Sequence, residues 1–144
     1  MPSSKRGNGS MVFIDGTNLF RRLHTAHLKL RSLTGIIRHC EPEREVVRAY
    51  LYTTKPKFDT ALTTHGPILT GSIRVVYGDS VETADGPRGK GVDALLVADM
   101  VYRAAVRNYE RAVLISADQV VELDVKTLIE NKYATALPPV ASAT

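Results

Sequence analysis

Met11-Val12-Phe13-Ile14-Asp15-Gly16-Thr17-Asn18-Leu19 changes character half-way along. Four apolar residues in a row, without polar alternation, predict a strand buried on both faces. Gly16-Thr17-Asn18 then supplies a turn with capping chemistry. Leu19, Phe20, Leu23, His27 and Leu30 follow at helical spacing and predict a helix to about Arg31. A buried strand that feeds a helix is the repeating unit of a parallel α/β sheet. Asp15 falls at the carboxyl end of the strand, where such sheets place their sites.

The same grammar recurs along the chain. Val46–Thr54, Ile73–Tyr77 and Ala112–Ser116 read as further strands, and Tyr133–Leu137 as a fifth. Helices are predicted over Phe58–His65, Val92–Asn108 and Val121–Glu130. Thr34-Gly35 breaks the first helix, Pro42 argues against a continuous helix between Ile36 and Glu45, and Lys55-Pro56-Lys57 reads as a basic loop. Gly78 to Gly91 holds four glycines and one proline and reads as a long flexible loop of the functional kind. The expectation is a three-layer α/β/α domain over residues 11–137, with a mainly parallel sheet of about five strands. A flexible basic tail precedes it at residues 1–10, and a flexible tail follows at 138–144.

Composition narrows the class. The chain has 144 residues, 44% hydrophobic and 24% charged, which suits one globular domain with a proper core. No apolar run reaches the ~20 residues of a membrane helix, so no membrane partner is expected. Cys40 is the single cysteine, which fits a reducing cytoplasm. A net charge of +4 favours a polyanionic partner such as nucleic acid. Arg21, Arg22, Arg103, Arg107 and Arg111 would decorate helix surfaces, and Lys55, Lys57, Arg88 and Lys90 would sit in loops. A homodimer is compatible with this reading, although nothing in the sequence demands one.

Three aspartates carry the chemistry. Lys90-Gly91-Val92-Asp93-Ala94-Leu95-Leu96-Val97-Ala98-Asp99-Met100 reads as a helix opening on Gly91, with residues 92, 95, 96, 100 and 101 facing the core and Asp93 in its first turn. Asp118 follows the apolar run Ala112–Ser116. Asp15, Asp93 and Asp118 can therefore converge on one sheet edge. Packed carboxylates repel unless a cation neutralises them, and an all-oxygen set suits Mg²⁺ or Mn²⁺. The sequence has no G-x-S-x-G, P-loop, G-x-G-x-x-G or H-E-x-x-H pattern to suggest another chemistry.

Val12–Leu19, Lys90–Asp93 running on to Asp99, and Leu114-Ile115-Ser116-Ala117-Asp118 together resemble the NYN branch of the PIN-like ribonucleases, over about residues 11 to 133. The resemblance implies a metal-dependent endoribonuclease acting on RNA. Asp15, Asp93 and Asp118 take its catalytic, Mg²⁺- or Mn²⁺-binding positions. It further implies that Asn18 steadies Asp15 or a phosphate and that Ser116 orients the Asp118 end. Lys90, Arg88, Lys55 and Lys57 would contact substrate phosphates. Asp99 matches an acidic position of the family, but at helical spacing it points about 120° from Asp93, which suits a supporting role.

One departure stands out. The family continues S-x-D-x-D-F, whereas this chain has Val120 and Val121 in the last two places, with Glu122 one helical turn after Asp118. A site that has lost an acid could bind RNA with little turnover, which is the second reading. Phe13-Ile14-Asp15-Gly16-Thr17 also resembles the D-x-D-G-T motif of haloacid-dehalogenase-like phosphatases, a third reading, but Phe13 stands where that family has its nucleophilic aspartate.

Overall fold

β1 (Ser10–Asp15) is buried at every residue, as a strand with a neighbour on each edge and a layer on each face has to be. The structure, a computed structural model, describes residues 9–67, 73–84, 86–106, 111–116 and 125–137. β1 pairs in parallel with β3 (Val46–Thr54) on one side and with β6 (Arg111–Ile115) on the other. β3 pairs in parallel with β4 (Ile73–Thr83). β5 (Gly86–Lys90) closes the edge antiparallel to β4, so the sheet order is β5-β4-β3-β1-β6.

Helices cover both faces of this sheet. Val12 and Ile14 point to one face and join Leu19 and Leu23 of α1 (Gly16–Thr25), Ile36 and Ile37 of α2 (Leu33–Cys40), and Phe58 and Ala61 of α3 (Lys55–His65). Met11 and Phe13 point to the other face, where Tyr50, Tyr52, and Val92 and Leu96 of α4 (Val92–Ala105) meet them. Phe13 is fully buried and stacks on Tyr50 and Tyr52 at centroid distances of 6.0 and 6.5 Å. The expected three-layer α/β/α arrangement with a mainly parallel sheet is therefore the one found.

Several local expectations are corrected. α1 ends at Thr25 because Ala26 and the left-handed His27, at φ 57°, turn the chain. Leu28–Leu30 then forms β2, antiparallel to β7 (Ala134–Ala136), which follows α5 (Val125–Glu130). The fifth predicted strand thus belongs to this separate two-stranded sheet, and β5 takes the fifth place in the main one. The described residues of Gly78 to Lys90 accordingly belong mostly to the β4–β5 ribbon rather than to a loop. β4 runs past Gly78, the last residue paired with β3, and continues alongside β5 beyond the sheet. Thr34 and Gly35 lie inside α2, capped by Ser32, and Lys55-Pro56-Lys57 forms the first turn of α3, capped by Thr54. Val101 is exposed rather than core-facing. Arg103 lies over the Tyr50 ring at 4.6 Å instead of in solvent. Arg111 is a strand residue paired with the buried Glu41 at 3.2 Å.

His65 ties α3 to the small sheet. Its Nδ1 accepts the Leu30 amide at 2.9 Å, and its ring stacks on Phe20. Burial, with the charge of Lys29 adding, pushes its pKa below 6.5. The unfolded chain therefore takes up this proton first as pH falls. The stability supplied by neutral His65 is fully present above pH 6.5 and is lost as pH falls from there through the lowered folded value. His65→Asn keeps an acceptor near the Leu30 amide but cannot titrate. It should show a shallower fall in Tm than the parent protein between about pH 7 and 5. Identical slopes in calorimetry would rule His65 out as the responsible group.

Candidate active site

The strand-to-helix switch at Asp15 builds the first half of the site. Asp15 caps α1, with Oδ1 accepting the Asn18 amide at 3.1 Å and Oδ2 accepting Asn18 Nδ2 at 2.6 Å. Arg21 in turn donates to Asn18 Oδ1. The hydroxyls of Thr17 and Thr53 lie 3.1 Å apart and tie the start of α1 to the end of β3. Asp15 is thus held by two hydrogen bonds although only 7% exposed.

Alternation along β1 puts Asp15 on the same face as Met11 and Phe13, which is the face under α4. That helix supplies the second carboxylate. Gly91 caps α4 in the left-handed conformation, at φ 76°, which glycine adopts without strain. Gly78 lets the helix start sit close on β4, since a Cβ there would come within 2.6 Å of Val92 Cγ2. Asp93 follows in the first helical turn, where the helix dipole favours negative charge.

Asp15 senses the second acid. Burial pushes the Asp15 carboxyl above its ordinary value of 3.8, and the charge of Asp93 adds to the rise. The Asn18 hydrogen bonds and the Arg21 charge pull the other way. Two carboxylates from separate elements therefore stand at the carboxyl edge of the parallel sheet within electrostatic reach, Asp15 sequestered and Asp93 open to solvent.

The remaining candidates fall around this pair. Ile14 is in register with Ile115, so Ser116, directly after β6, flanks Asp15 on the neighbouring strand. Asp99 is one of α4's inward residues and accepts the Tyr52 hydroxyl at 2.8 Å. Burial, together with that bond and the Asp99 charge, pushes the Tyr52 phenol upward, so it stays a donor. Asp99 is thereby committed to holding α4 on β3. Arg88 and Lys90 lie on β5, and the backbone of Lys90 pairs with Asp79 just before α4 begins. Lys55 is turned to Asp59 at 3.1 Å and lies over Tyr77. Asp118, Val120, Val121 and Glu122 lie outside the described residues. Among the described residues no group of three metal-ligating side chains forms. Tyr52, Thr53 and Arg21 carried no sequence signal. Tyr52 and Asp99 are 47 positions apart, and only strand pairing brings them together.

The model of the NYN domain family matches residues 10–138, nearly the whole chain. The chain belongs to the NYN domain family. NYN domains are PIN-like nucleases, so a nuclease-type function comes with membership. No curated protein and no solved structure matches this NYN chain significantly. No described helix is long and apolar enough to cross a membrane.

Proposed function

We propose that this NYN protein is an endoribonuclease dependent on Mg²⁺ or Mn²⁺ that cleaves single-stranded or looped RNA. The observation that carries the reading is the placement of Asp15 and Asp93 at the carboxyl edge of the sheet, where burial and then the charge of Asp93 push the Asp15 carboxyl upward. The donors are all carboxylate oxygens, which suits a hard cation. Mg²⁺ commonly uses only one or two carboxylates and fills its remaining positions with water and phosphate oxygens. When bound, the cation supplies a water of lowered pKa and positive charge beside the phosphodiester.

The chain's own residues do the rest. Asp15 and Asp93 hold the cation, with Asp118 as the proposed third ligand and Glu122 as its support. Asn18 fixes the orientation of Asp15 by donating to Oδ2. Ser116 positions the β6 edge beside it, and Arg88 and Lys90 are proposed to bind flanking phosphates. The fully buried Phe13 leaves no room for the nucleophile of a dehalogenase-type phosphatase. The lone Cys40 and the net charge of +4 suit an enzyme meeting RNA in a reducing compartment.

The test is cleavage of a labelled single-stranded RNA with and without chelator. Cleavage is expected in Mg²⁺ or Mn²⁺, lost in excess EDTA and restored by added metal. Cleavage indifferent to EDTA would overturn the metal assignment. Binding without turnover in any divalent cation would leave an RNA-binding module. Hydrolysis of simple phosphate esters with RNA intact would leave a phosphatase.

A further inference from the structure

A concavity opens between α1 and α3, on the sheet face opposite α4. Its volume is about 380 Å³. Phe20 and His65 form its aromatic wall, with ring centroids 5.9 Å apart and planes inclined by 26°. Leu28 and Ala61 add buried apolar surface. Arg21, His24 and Lys57 supply basic groups, and among the described residues the lining contains no acidic one. His65 Nδ1 is committed to the Leu30 amide, so the neutral ring carries its proton on Nε2.

The cavity reaches the start of α1, next along the chain from the acidic site. Thr17 lines it and stands two residues after Asp15. Arg21 lines it as well and donates to Asn18, the residue that holds Asp15. An aromatic wall flanked by basic groups is how proteins hold an unstacked base and the phosphates on either side of it. The volume lies near the lower end of small-ligand sites, too confined for a duplex, whose bases are in any case stacked away. By contrast, the cavity between α2 and the start of β3 mixes Glu41 and Glu45 with Arg38 and Arg44 and offers a polyanion no such advantage.

We propose that the α1–α3 cavity binds one unpaired nucleobase of the RNA strand, next to the nucleotide presented to Asp15 and Asp93. This rests on the ribonuclease reading and adds to it a separate subsite that holds a base outside the acidic centre. Phe20 stacks on the base, while Arg21 and Lys57 take the adjoining phosphates. The strand is thereby held on the α1 side of the scissile bond.

The test uses a short single-stranded oligoribonucleotide containing 2-aminopurine, whose fluorescence is quenched by stacking. Binding to the full chain is measured in EDTA, and cleavage of the same strand is measured in Mn²⁺. Phe20→Leu keeps apolar bulk and removes the ring face. Thr60→Glu places an acid on an exposed rim residue without disturbing the core. Phe20→Leu is expected to lose the quench and about tenfold in affinity. Thr60→Glu should weaken binding several-fold, an effect that shrinks with added salt. In both variants KM rises more than kcat falls, and an unchanged Tm shows that the fold is kept.

If both variants bind, quench and cleave as the parent does, the cavity assignment is overturned and the nuclease reading stands. Variants that lose binding, in a parent that binds but never cleaves, would support the cavity and overturn the nuclease reading. A parent that binds no RNA at all overturns both.

Discussion

Asp15→Asn should reduce metal-dependent RNA cleavage by at least ~10²-fold, the scale set by removing one preorganised electrostatic group from a reacting centre. The substitution is nearly isosteric, and asparagine caps helices as well as aspartate does, so the carbonyl oxygen still accepts the Asn18 amide. What changes is charge. The amide brings a second NH₂ face to face with Asn18 Nδ2, which costs the 2.6 Å bond, on the order of 1 kcal/mol. Loss of a charge that burial disfavours offsets part of that. Tm should therefore move by only a few degrees while cleavage disappears. Purified Asp15→Asn protein that cuts RNA at the parent's rate would remove this carboxylate from the mechanism.

The second large effect is on stability. Phe13→Ala empties a fully buried position between Tyr50 and Tyr52 and should cost about 3–5 kcal/mol. For a chain of this size that lowers Tm by roughly 10–20 °C. Phe13→Leu keeps most of the volume and should cost much less. The pair can be read by urea unfolding, and a loss below ~1 kcal/mol for Phe13→Ala would mean that the α4 face of the sheet repacks around the void. Phe13 is also the residue that separates this chain from dehalogenase-type phosphatases, and an aspartate there would be a buried charge before it was a nucleophile.

Much of the fold could be read from residue order because the main strands are long and apolar. Met11–Ile14 and Val46–Thr54 announce themselves as buried, and Asp15 and Asp93 announce helix starts. β2 escaped because it spans three residues, and Leu23, His27 and Leu30 imitate a helical stripe across the left-handed His27. β5 escaped because Gly86-Pro87-Arg88-Gly89-Lys90 has the composition of a loop. Its strand state comes from pairing with β4, which no local propensity announces. The same limit applies to the site. The Asp15–Asn18 contact lies within one helical turn and is legible, whereas the Tyr52–Asp99 bond and the Phe20–His65 wall depend on long-range packing.

The uneven thickness of the two helical layers has a functional consequence. Among the described residues, seventeen buried residues make up the cluster under α1, α2 and α3, against six in the cluster under α4. Asp15 belongs to a strand clamped between both layers, whereas Asp93 rides on the thinner one, fastened by the Tyr52 phenol to Asp99 and seated on Gly78. Local opening of α4 would separate the acids while the sheet stays intact. If the chain cleaves RNA as proposed, warming should reduce cleavage reversibly before the domain melts, which paired activity and calorimetry over one temperature series would check.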